Sequence, residues 1–66
     1  MQESKLKKWF GDGVRRVKEG VFRINRDELY SEDISFLGGL VSEGFAVMVR
    51  RSGRGVVVIV MTISKV

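Results

Sequence analysis

The chain has 66 residues, 44% of them hydrophobic and 30% charged, and a net charge of +4. It contains no Cys, His or Pro, which excludes disulfides, thiolate or imidazole metal sites, and catalysis built on a Cys or His nucleophile–base pair. A domain this small buries only about 60% of its unfolded surface, and its core supplies roughly 3–5 kcal/mol unless something staples it.

With disulfides and common metal sites gone, a second copy of the chain is the staple to expect. Residues 1–66 read as a single domain with no repeat, linker or low-complexity stretch. The longest uncharged apolar run, residues 56–63, is far short of the about 20 residues a spanning helix needs. The basic N-terminal segment has no apolar run behind it. A soluble, cytoplasmic protein with no membrane partner is expected.

Charge is segregated along the chain. Residues 1–26 hold eight basic and three acidic side chains (+5), residues 27–45 five acidic and no basic (−5), and residues 46–66 four basic and no acidic (+4). Such a layout gives a two-signed surface, with basic parts able to attract polyanions. It equally allows acidic and basic elements to face one another inside the fold or across a dimer.

In chain order, Leu6, Trp9, Phe10, Val14, Val17 and Val21 recur at helical spacing. They predict an amphipathic helix over residues 6–18, with Lys5, Lys8, Arg15 and Lys18 toward solvent. Gly11 and Gly13 weaken it, each at a cost of about 1 kcal/mol. A rival reading makes residues 14–24 a hairpin turning at Glu19-Gly20; the helix is preferred. Residues 21–25 favour a short strand. Asn25-Arg26-Asp27-Glu28 has the layout of a capping box, and Ser31-Glu32-Asp33 offers a second helix start. Residues 26–43 are thus one helix or two short ones meeting near Ser31, ended by Gly44. Gly38-Gly39 inside it predicts close approach of another backbone, the first helix being the nearest candidate. Residues 46–50 and 55–64 are strands joined by the tip Arg51-Ser52-Gly53-Arg54. The last strand is apolar on both faces, which predicts a central place in the sheet, cover on both sides and hence a homodimer.

The fold expected is α+β: two or three short helices packed on a small antiparallel sheet with a C-terminal β-hairpin. No phosphate-binding glycine loop is present. Asp27, Glu28, Glu32 and Asp33 are explained as helix-start and solvent-facing acids. The chain is expected not to be an enzyme and to use no cofactor, metal or small-molecule substrate. Arg50, Arg51 and Arg54 cluster at the hairpin with no acid near them in sequence, a pattern suited to phosphate contact by guanidinium groups. Lys8, Arg15 and Lys18 add a second basic stretch.

The run Leu40-Val41-Ser42-Glu43-Gly44-Phe45, a strand, the basic turn Arg50-Arg51-Ser52-Gly53-Arg54-Gly55-Val56 and a strand reaching Thr62 resemble the end of a winged helix-turn-helix domain. The resemblance implies the order helix (6–18), strand (21–24), helix (27–31), helix (33–43), wing. It makes residues 33–43 the recognition helix and sets Arg50, Arg51 and Arg54 against a DNA backbone. Glu32, Asp33 and Ser35 would then face the bases, an unfavourable set against a polyanion. The expected role is a small nucleic-acid-binding module of the transcription-regulator kind, acting on duplex DNA. The alternative is a protein-interaction or dimerisation module.

Overall fold

The computed structural model describes residues 2–63, in the order α1 (Gln2–Phe10), a 3-10 turn (Gly11–Gly13), β1 (Val14–Lys18), β2 (Val21–Arg26), α2 (Ser31–Ser42), β3 (Phe45–Ser52) and β4 (Gly55–Thr62). The four strands form one antiparallel sheet in the order β1-β2-β4-β3. The α+β class, the antiparallel sheet and the C-terminal hairpin are as expected, with two helices. Ser64, where the last strand was expected to end, and Lys65 lie outside the described residues.

The helix expected over residues 6–18 stops at Phe10, and the rival hairpin is what forms. Gly11 adopts a φ of 74°, a left-handed conformation that breaks the helix. At Gly13 an added Cβ would lie 2.8 Å from the backbone oxygen of Asn25, so the chain turns there flush against β2. Val14 is buried opposite Ile24, whereas Val17, counted on the helical stripe, is 59% exposed beside a bulge between Arg16 and Lys18.

Residues 27–30 form no helix, and α2 begins at the second of the two expected starts. Asn25, the first candidate cap, is held in β2 opposite Val57. The Asp33 carboxylate accepts a 2.9 Å hydrogen bond from the Tyr30 amide, which ties down the entry to α2. Gly44, with φ 102°, ends the helix as expected. The close approach expected at Gly38-Gly39 is absent: a Cβ at either position meets nothing within 4 Å. Two helices separated by a β-hairpin replace the helix, strand, helix, helix order of the resemblance, and nothing in the described residues identifies a winged helix.

Both helices lie on one face of the sheet. Leu6 and Phe10 of α1 and Leu37 and Leu40 of α2 close over Val14, Phe22, Ile24, Val58 and Val60. The helices are locked together by aromatic rings. Trp9 stacks on Phe36 at 4.6 Å, and Phe10 meets the same ring edge-on at 5.6 Å. The Trp9 indole donates to Asp33 at 2.9 Å, and Lys5 bridges to Glu43 at 2.9 Å. β4 is central between β2 and β3, as its unbroken apolar run requires.

Candidate functional site

Alternation along each strand sends every second side chain to the face away from the helices. Strand register then lays out that face row by row. Arg15, Arg23, Ile59 and Met48 make one row across the sheet; Asn25, Val57 and Arg50 make the next; Lys18, Val21, Met61 and Ala46 make a third. An apolar stripe on β4 and β3 is therefore flanked by Arg15, Arg23 and Lys18 on one side and Arg50 on the other. No Asp or Glu occurs at any position of the four strands.

Arg15 and Arg23 stand directly opposite one another. Their Cβ atoms are about 5 Å apart at such a pair, a spacing at which like charges repel. Among the described residues neither has a carboxylate within 4 Å, and neither do Lys18 and Arg50. The stems of Arg23 and Arg50, with Met48 and Ser52, enclose a shallow hollow of about 300 Å³ floored by Val57 and Ile59. These long side chains cover the apolar floor while keeping their charged ends in water. Val57 is only 7% exposed as a result. The expectation that this face of β4 needs a second subunit for cover does not follow, because the chain supplies much of the cover itself.

The three hairpin arginines do not converge. Arg50 lies on the open face, while Arg51, opposite Val56, projects to the helix side. Arg51 and Arg54 share a hollow of about 440 Å³ with Asp27 and Glu28, without an ion pair within 4 Å. Lys8 stands on α1, across the sheet from the open face. The structure thus groups Arg50 with Arg15 and Lys18 of the expected set, separates Arg51, Arg54 and Lys8 from them, and adds Arg23. Arg23 had a signal in the sequence: it is the charged position between Phe22 and Ile24, so it had to face away from the core.

Asp33 and Glu43 are occupied elsewhere. The Tyr30 amide, the Trp9 indole and Arg26, 3.6 Å away, hold the Asp33 carboxyl below the usual carboxylate range against the opposing effect of burial. Glu43 pairs with Lys5. Glu28, by hydrogen bonding and by its charge, raises the Tyr30 hydroxyl above its ordinary value. Arg26 lies 5.4 Å over the Phe10 ring, so it too is committed to the fold. No group of three or more Asp or Glu residues fit to hold a metal occurs among the described residues.

The chain matches no protein-family model, no curated protein and no solved structure.

Proposed function

We propose that the chain binds nucleic acid through the phosphate backbone, across the open face of its sheet. The observation that carries this reading is the Arg15–Arg23 pair, held side by side with Lys18 and Arg50 on a face whose strands contain no acid. A phosphate between two guanidinium groups relieves their repulsion and accepts bidentate hydrogen bonds from each. No aromatic side chain stands in the three rows of that face, so bases have no stacking platform, and binding should be insensitive to sequence.

The test is fluorescence anisotropy with labelled random duplex and single-stranded DNA at two salt concentrations. With one phosphate shared by Arg15 and Arg23, the four cations engage about three phosphates and give a slope near −2.7 in log K against log salt on duplex, so affinity falls about 40-fold between about 50 and 200 mM salt. The variant Arg15→Ala/Arg23→Ala/Arg50→Ala should lose most of the affinity and most of that slope. The variant Arg51→Ala/Arg54→Ala should retain both. Equal losses in the two variants would return the site to the hairpin tip, and no binding at low salt would remove nucleic acid from consideration.

The alternative is a protein partner. The apolar row Val57, Ile59 and Met61 on the same face favours it, since an acidic amphipathic segment could cover that row and meet the flanking arginines. Binding by such a partner would be lost in Ile59→Lys, whereas phosphate contact would survive it.

A further inference from the structure

The two edges of the sheet are unlike. β1 is five residues long, bulged, and carries Arg15, Arg16 and Lys18, all features that discourage a strand from pairing with another. β3 is eight residues long and regular, and its first five residues, Phe45 to Val49, carry no charge. One row of its backbone N–H and C=O groups faces outward.

Exposed apolar surface gathers at this same edge. Val49 projects to the helix side of β3 and is still 50% exposed. On α2, Phe36 and Glu43 mark the side that faces α1, through Trp9 and Lys5. Ile34 and Val41 are each two residues from those markers, about 160° around the helix. They lie on the flank turned away from α1 and are 60% and 54% exposed. Gly38 sits between them, with open space where its Cβ would be.

We infer that β3 and this outer flank of α2 form an interface with a second copy of the chain, the two β3 strands pairing antiparallel about a two-fold axis. Charge selects the occupant and the register. The charges on β3 are Arg50 and Arg51, near its end at Ser52, so a pairing strand must bring an uncharged stretch to them, and Phe45 to Val49 of a second copy is one. A two-fold axis at Met48 sets Arg51 of one copy opposite Phe45 of the other; an axis at Val47 carries Arg51 just past the start of the partner's β3. Either keeps the arginines of the two copies apart, and both preserve the alternation, so the helices of both copies share one side. An axis nearer Arg50, or parallel pairing, brings four arginines together. The helix layer also fits. α2 lies on the β3 side of the sheet, so the outer flanks of the two α2 helices face each other across such an axis, with Gly38 easing the approach. The open faces of the two sheets become one continuous surface. The interface does not depend on that surface binding nucleic acid.

Sedimentation equilibrium on the full chain tests it. A dimer of twice 7.5 kDa is expected, forming with concentration over about 1–500 µM by mass action. Val41→Glu and Val49→Lys alter exposed side chains, so the monomer should keep its circular dichroism while dimer affinity falls more than about tenfold. Gly38→Ala should weaken the dimer, and Gly39→Ala, one residue on and off the flank, should not. A wild type that stays monomeric throughout overturns the inference. So does a dimer untouched by Val41→Glu and Val49→Lys, or one dissociated by Ile59→Lys instead, which would place the contact on the open face.

Discussion

Asp33 is the one buried acidic side chain among the described residues, and it joins three parts of the fold: the entry to α2, the indole of α1 and the end of β2. Its folded pKa lies below the unfolded value near 3.9. The unfolded chain therefore binds the proton more readily, and the stability this carboxylate contributes is present above about pH 4 and lost as pH falls through the lower folded value. Asp33→Asn should cost about 1–3 kcal/mol at neutral pH, because an amide cannot accept from all three donors. It should also flatten the decline below pH 4. Urea melts of both proteins at pH 7 and pH 3, followed by circular dichroism, would show it; parallel declines would mean Asp33 does not set the acid response. Two glycines make an opposed pair at the same scale. Gly13→Ala forces a Cβ against a backbone oxygen and should destabilise by about 1–3 kcal/mol, whereas Gly39→Ala places one in open space on a helix and should stabilise by about 0.5–1 kcal/mol. Thermal melts of the two variants distinguish the signs.

At the scale of elements, what the sequence made legible follows from how much competing physics each segment contains. β4 was readable because an unbroken run of six apolar residues, Val56 to Met61, suits a central strand covered on both faces. The C-terminal hairpin and the glycine stop of α2 were readable for local reasons, a turn and a positive φ. β1 was misread because Leu6, Phe10 and Val14 are all buried at spacings that fit one helix, although the last of them arrives from a strand after a tight turn. The deciding fact, Asn25 pressed against Gly13, is a contact between distant parts of the chain and leaves no periodic trace. The site divided in the same way. Arg15, Lys18 and Arg50 were named from charge alone, but which of them share a face depends on strand register. That register also brought Arg23 to the group and sent Arg51 to the other side. Phe36 shows the reverse case: it is the hub of the aromatic contacts between α1 and α2, yet nothing in the sequence around it sets it apart from the other apolar residues of the helix.

For the whole molecule, the sheet divides the charge. Asp33 and Glu43 are engaged on the helix side, whereas the open face carries Arg15, Lys18, Arg23 and Arg50 with no acid on its strands. Pairing through β3 would set two such cationic faces edge to edge, and the number of phosphates engaged per particle would double. Wild-type protein should then show a steeper salt slope than Val41→Glu, which keeps every cation and loses only the second copy. Equal slopes would mean that the two copies bind independently or do not pair.

The sheet order has a consequence for how the protein is made. β4 is made after the other three strands and is the one around which the sheet is arranged. Until it is synthesised, β2 has only the short β1 beside it, and Phe22 and Ile24 have no sheet to complete their burial. The β3–β4 hairpin can form locally, but joining β2 to β4 closes a long loop and should limit the folding rate. The nascent chain thus waits, with the edge of β2 open, for the fourth strand to be made. Shielding β2 during that interval is a task for a chaperone, or for a second chain at the same stage.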